Sequence, residues 1–270
     1  MKCSHCRASA GALDGGGELD TSECLRIIDS LSGGRPMIIW TGGEPMMRDD
    51  LALLVRRATD IGLRSVLAPC GAFASEDRLR ALAAAGVSAC SFSVDCPDRA
   101  SHDSFRGVEG AWDSVHAAMA AARAANIPFQ VNTTVRKESL ASLDRIYRNA
   151  MEAGASRLDL FFLVPTGRGS AIRDQVPDDH ETASVIKWSE GKSTKLTCCP
   201  SAGTCIGGRG FAFLSYRGDL QTCGFVQTPC GNIRDFDFDF ERLVAAAENP
   251  LGPSGGCRSP APSASGRGFS

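Results

Sequence analysis

Two rhythms of apolar positions alternate along most of this chain. In residues 19–32, Leu19, Cys24, Ile27, Ile28 and Leu31 recur near a 3.6-residue period, which predicts a helix, and Gly33-Gly34 stops it. Met37-Ile38-Ile39-Trp40 is a short unbroken apolar run and reads as a buried strand. The alternation then repeats. Asp49-Asp50 open a helix over 50–62, Ser65 to Ala68 is a strand, Ser75 starts a helix that ends at Gly86, and Ala89 to Val94 is a strand. An Ala-rich helix over 110–125, a strand from Pro128 to Val135, a helix over 138–153 and a strand from Leu158 to Val164 follow. The strands are apolar on both parities, as expected of parallel strands covered on both faces. Strands alternating with helices argue a parallel α/β sheet or barrel.

After Pro165 the pattern weakens. Residues 166–196 are polar, with one predicted helix around 178–190. Gly210 to Tyr216 and Gly218 to Phe225 read as the two arms of a hairpin. Thirteen of the last twenty residues are Gly, Pro or Ser, a composition that predicts disorder over 251–270 and poor packing from 236 onward. The expected organisation is therefore a barrel core over 1–170, a linker with a helix over 171–197, a Cys-rich extension over 198–250 and a tail.

Composition narrows the chemistry. A formal net charge of −2 gives no electrostatic case for nucleic acid or an anionic membrane, and no apolar run has the length of a membrane span. The start Met-Lys-Cys is not that of a secretory leader, so a cytoplasmic location is expected. Twelve cysteines in a reducing compartment point to metal or cluster ligation rather than disulfides. Cys24, Cys90 and Cys96, in or beside apolar stretches, are expected to be buried small hydrophobes.

Cys3-Ser4-His5-Cys6 sets two thiols at a metal-ligand spacing, and Gly42-Gly43-Glu44-Pro45 closes the next strand. Together they resemble the radical S-adenosylmethionine (SAM) superfamily, whose loop C-x-x-x-C-x-aromatic-C holds a [4Fe–4S] cluster. His5 stands in the aromatic slot, and the first cysteine of the loop falls four residues before Cys3, ahead of Met1. This predicts an incomplete chain. The resemblance implies a partial (β/α)6 TIM-like barrel lacking its first strand, followed by a small Cys-rich β-hairpin extension. It also implies the cofactors, a [4Fe–4S] cluster and SAM, and an activity, reductive cleavage of SAM to a 5′-deoxyadenosyl radical that abstracts a substrate hydrogen.

The same resemblance assigns residues. Cys3 and Cys6 are cluster ligands. Glu44 accepts from the SAM ammonium while Gly42 and Gly43 let the backbone approach. Ser93 and Asp95 at one strand end, and Asn132 at the next, contact SAM. Within His102-Asp103-Ser104-Phe105-Arg106-Gly107, Arg106 pairs with the SAM carboxylate. No catalytic side chain is named. His5 to Ala10, Leu163 to Gly169 and Thr222 to Phe225 look most like the radical SAM enzymes of alternative haem and haem d1 biosynthesis. The implied substrate is a tetrapyrrole bearing propionates, with a peptide second, and Arg168 is a candidate for a substrate carboxylate. An electron donor such as flavodoxin or ferredoxin is implied.

Cys205, twelve residues, Gly218, four residues and Cys223 resemble the opening of the SPASM extension, which binds auxiliary [4Fe–4S] clusters. The cysteine-rich stretch that should complete it is missing. Cys198, Cys199 and Cys230 are candidate substitute ligands. Two other classes stay open from sequence alone. One is a non-catalytic protein holding zinc at Cys3/Cys6 and Cys205/Cys223; the other is a cluster-free pseudoenzyme. Brown colour after anaerobic reconstitution separates cluster from zinc.

Overall fold

The computed structural model describes residues 2–11, 16–198, 210–226 and 228–247. Six parallel strands form one sheet in sequential order: β1 (Met37–Trp40), β2 (Arg64–Leu67), β3 (Val87–Ser93), β4 (Phe129–Val135), β5 (Leu158–Phe162) and β6 (Thr194–Thr197). Helices α1 (Thr21–Ser30), α2 (Leu51–Asp60), α3 (Glu76–Ala85), α4 (Arg99–Arg106), α5 (Ala111–Ala124), α6 (Leu143–Glu152) and α7 (Asp179–Ser189) lie between and around them. The result is the curled half-barrel expected from the alternation.

One strand lies beyond the five read from sequence. The sixth is Thr194–Thr197, inside the segment read as a linker, so the sheet runs to residue 197. Thr194-Lys195-Leu196-Thr197 holds one apolar residue, so its pattern carries no strand signal. An edge strand pairs on one side only and needs no continuous apolar run. The other edge corrects a second expectation. Met37 and Ile39 of β1 are 50% and 40% exposed, while Ile38 and Trp40 pack under α1 and α2 with Ile28, Leu54 and Leu63. Alternation, not full burial, is what an edge strand of a half-barrel permits.

One face of the sheet carries the apolar core. Leu67, Cys90, Phe92, Phe129, Val131, Leu158 and Leu160 are buried against Val55, Leu79, Val115, Met119 and Ile146 of the covering helices. Phe92 and Phe129 meet edge-on at 5.5 Å. Helix ends follow local chemistry. Ser75 caps α3 and Gly86 ends it at φ +115°, where an added Cβ would stand 2.0 Å from Thr59 Oγ1. Asp50 precedes α2 but does not cap it, since its carboxylate is taken by Arg48 and Thr21.

A second, smaller unit follows. β7 (Phe213–Leu214) and β8 (Leu220–Gln221) form an antiparallel hairpin, shorter than the arms read from sequence. α8 (Phe240–Ala246) then docks on α1. Leu220, Ile233 and Leu243 close a separate apolar cluster with Leu19 and Ile27, with Cys24 and Cys230 at its margin. Residues 236–247 therefore pack, against expectation, because Leu243 and Phe240 reach that cluster. Residues 251–270, and with them the expected disorder, lie outside the described residues. Among the described residues no helix is long and apolar enough to cross a membrane.

Candidate active site

The cysteine loop lies at the C-terminal end of the strands, where α/β folds of this kind build their sites. Its start is tied to the end of α4: Lys2 N donates to Arg106 O at 3.2 Å and Ser4 N to Phe105 O at 3.0 Å. Gly107 ends α4 at φ +65°, and its missing side chain makes room for Lys2 O, 2.8 Å from where a Cβ would stand. Within the loop, Cys6 N donates to Cys3 O and Ser9 N to Cys6 O. Both sulfurs accept a hydrogen bond. Arg106 Nη1 approaches Cys3 Sγ at 3.6 Å, and Ala10 N approaches Cys6 Sγ at 3.3 Å.

Under the loop lies a buried polar knot. Asp95, 1% exposed, forms an ion pair with Arg106 at 2.6 Å and accepts Thr134 N at 2.7 Å. Burial pushes the Asp95 carboxyl up, but Arg106 and its other partners outweigh that and hold it far below the usual range. Burial likewise opposes the charge on Arg106, and the Asp95 carboxylate raises its pKa above the ordinary value. His102 Nδ1 accepts Asp95 N at 3.3 Å, and burial of its ring, with Arg106 beside it, lowers its pKa to about 4. Asp103 accepts the backbone N–H groups of Gly110 and Trp112. Arg136 donates to Asp95 O and lies 3.9 Å from the centroid of the Phe105 ring. His5 stacks on Phe105 at 4.7 Å with planes 5° apart, and burial pulls its pKa to about 4.

Glu44 half-buries its carboxylate at the end of β1. Oε1 accepts Met46 N at 3.0 Å, and Oε2 accepts Cys70 N at 2.6 Å, so the side chain joins the ends of β1 and β2. A carboxylate has about four acceptor sites, so two backbone donors leave capacity for an ammonium. A Cβ added to Gly43 would stand 3.8 Å from Ala10 Cβ, which brings the GGEP turn to the cysteine loop. Burial and the Glu44 carboxylate push the Cys70 thiol up to about 12.

The sheet face opposite the apolar core is polar. Ser91 pairs in register with Gln130, Ser93 with Asn132, and Asn132 with Asp159. Gln130 Nε2 reaches Ser91, Asn132 and Asp159, and Arg157 ties Gln130 to Asp159.

The structure thus gathers Cys3, Cys6, Asp95 and Arg106 tightly, brings Gly43 and Glu44 to the same mouth, and sets Ser93 and Asn132 side by side on the polar face. Arg168 points at the loop itself, donating to the carbonyls of Cys3 and Ala10. Cys223 is buried beside the hairpin; Cys205 and Cys199 lie outside the described residues. Cys198 and Cys230 are half-buried. Among the described residues no three His, Cys, Asp or Glu side chains converge as a metal site. Arg7, Phe105 and Arg136 were not singled out from sequence. Arg7 donates to Gly224 O at 3.0 Å and lies 4.3 Å from the Phe213 ring centroid, pinning the hairpin to the loop.

Residues 1–150 match the profile of the radical SAM superfamily. The chain belongs to the radical SAM superfamily. It is 38% identical over 271 residues to an AdoMet-dependent heme synthase of Nitratidesulfovibrio vulgaris, an alignment covering 88% of this chain and 74% of that protein. It is 36% identical to one from Methanosarcina barkeri, covering 88% and 77%. The Fe-coproporphyrin III synthase of Methanosarcina barkeri is 32% identical over 73% of this chain and 49% of its own length. Among solved structures, native anSMEcpe with bound AdoMet superposes with a TM-score of 0.68 at 15% identity, covering 90% of this chain and 76% of that one, a likeness of fold. The chain is a radical SAM enzyme, and its superfamily uses a [4Fe–4S] cluster and SAM. Two of the three thiolates that hold such a cluster, Cys3 and Cys6, are in place. Two sulfurs each face an N–H donor, and His5 Nδ1, Arg106 Nε and Arg168 Nη2 are buried beside them with no hydrogen-bond partner among the described residues.

Proposed function

We propose that this radical SAM enzyme acts on a propionate side chain of a tetrapyrrole in haem biosynthesis. The observation that carries the reading is the 38% identity to an AdoMet-dependent heme synthase across 88% of the chain. A peptide substrate has weaker support: a PqqA peptide cyclase of Rhodopseudomonas palustris is 30% identical over 59% of the chain.

When bound, the cluster and SAM supply one-electron cleavage of the sulfonium and hydrogen abstraction from substrate. The chain's part is placement. Cys3 and Cys6 hold iron. Glu44 accepts from the SAM ammonium with the lone pairs its two backbone donors leave. Arg106, fixed by Asp95, puts positive charge beside the Cys3 sulfur and toward the SAM carboxylate. Ser93 and Asn132 offer hydrogen-bonding groups on the polar face. That face and the partly exposed Met37 and Ile39 beside it suit a flat amphiphile with an apolar ring and charged side chains. Cys223 is a candidate ligand of an auxiliary cluster. The test is a binding titration, followed through porphyrin absorbance, with a propionate-bearing porphyrin and its methyl ester. The reading expects binding of the acid at least about tenfold tighter than of the ester. Equal affinity rules out propionate recognition.

A further inference from the structure

Three consecutive residues after β5 press on the cysteine loop. Arg168 N donates to Cys6 O at 3.0 Å, its Nε to Cys3 O at 2.9 Å and its Nη1 to Ala10 O at 2.7 Å. One residue therefore grips the loop at both cysteines and at its far end. Cys3 O and Cys6 O each already accept a bond from inside the loop, so Arg168 supplies the second acceptor contact of each carbonyl. The glycine before it lets it come so close. Gly167, at φ +55°, has no side chain where a Cβ would lie 2.3 Å from Arg7 O and 2.5 Å from Cys6 O. Gly169 is buried, its Cβ position 3.3 Å from Val164 O of its own segment and at ordinary contact, 3.5 Å, from His5 O.

We propose that Arg168 is a positioning residue that holds the cysteine loop in its ligating conformation, with Gly167 as the close-approach surface. A nine-residue irregular loop has no helix or sheet ladder to fix it, and the backbone hydrogen bonds of Lys2 and Ser4 to the end of α4 lie at its start. Without the Arg168 side chain, Cys3 O and Ala10 O lose their ties to the segment after β5 while the backbone bond to Cys6 O remains, and the geometry of the two sulfurs loosens. The inference rests on the loop and not on the substrate. It also competes with a role for Arg168 in holding a substrate carboxylate, since two of its nitrogens are already engaged.

The test reads thiol protection in the reduced, metal-free full chain. Iodoacetamide labelling is followed residue by residue by mass spectrometry, with fully buried Cys90 as the folding control in the same sample. Arg168→Ala removes two charge-assisted hydrogen bonds, so Cys3 labelling should speed up at least about tenfold while Cys90 stays protected. Gly167→Ala keeps the charge but drives the segment off the loop, and should give the same rise. Arg168→Lys, which lacks the fork to span two carbonyls, should fall between. If Arg168→Ala exposes Cys90 too, Gly167→Ala and Arg168→Lys decide the matter. After anaerobic reconstitution, iron loss to a chelator should accelerate in the same order. Cys3 labelling within twofold of the native rate in Gly167→Ala and Arg168→Lys, with Cys90 protected, overturns the proposal.

Discussion

Replacing Arg106 by Met is the most informative single change to the architecture of the site. The native pair is 2.6 Å apart, with side-chain exposures of 10% for Arg106 and 1% for Asp95. Arg106→Met keeps the length of the side chain and removes its charge, leaving a buried carboxylate whose remaining side-chain oxygen contact is Thr134 N. Stranding one partner of such a pair costs about 3–5 kcal/mol. For a chain of this size that is roughly 6–20 °C in Tm. The pH dependence should reverse. In the native protein Asp95 sits below its unfolded value of about 3.9, so its contribution is present above that pH and is lost as pH falls through the folded pKa. In the variant, burial without Arg106 raises Asp95 above 3.9. Its contribution is then present below that pH and lost as pH rises through the raised value. His5 and His102 face the carboxylate in both proteins, while Arg136 donates to the backbone carbonyl of Asp95. Urea unfolding at pH 7 and pH 5 reads both quantities. A loss under about 1 kcal/mol at pH 7, with no gain at pH 5 relative to native, would refute the reasoning.

Three further outcomes follow from individual contacts. Glu44→Gln should weaken SAM binding by about ten- to a hundredfold, as loss of a charge-assisted contact does, and should speed Cys70 alkylation at pH 8 by lowering a thiol that stands near 12; unchanged values of both contradict the assigned contacts. Gly86→Ala should cost on the order of 2 kcal/mol or more in urea unfolding, because φ is +115° and Thr59 is held in place by Val55 O and Ala85 O; a neutral result would show that α3 shifts freely. Gly224→Ala puts a Cβ 2.6 Å from Arg7 Cζ, so limited proteolysis should cut near the β7–β8 hairpin faster than in native protein, and an unchanged pattern argues that Arg7 does not pin it.

The elements best read from sequence were those whose packing is local. The five apolar strands, Ser75 and Gly86 at the ends of α3, and Gly42-Gly43-Glu44-Pro45 after β1 were visible because residue pattern and turn chemistry agreed. β6 was not, since an edge strand carries little apolar signal. α4 reads as a motif only: Arg99 to Arg106 is polar apart from Ala100 and Phe105, and its helix presents His102, Phe105 and Arg106 together to the knot. The residues of the site could be named but not their partners. Asp95 meeting Arg106 depends on the β3–α4 turn, and Arg168 meeting Cys3 spans 165 residues of chain that only the closed sheet brings together. Arg7 and Phe105 fall inside the quoted motifs but their contacts, like those of Arg136, left no signal, because a stacked or clamped side chain looks in sequence like any solvated or core residue.

The most direct test of the tetrapyrrole reading is isotope transfer in an anaerobic turnover. Cluster-reconstituted enzyme, SAM, a reductant and a porphyrin deuterated on its propionate methylenes are incubated, and 5′-deoxyadenosine is analysed by mass spectrometry. The account predicts porphyrin-dependent formation of 5′-deoxyadenosine that carries deuterium, together with a porphyrin product altered at a propionate. Formation of 5′-deoxyadenosine that is independent of the porphyrin and free of deuterium would contradict it.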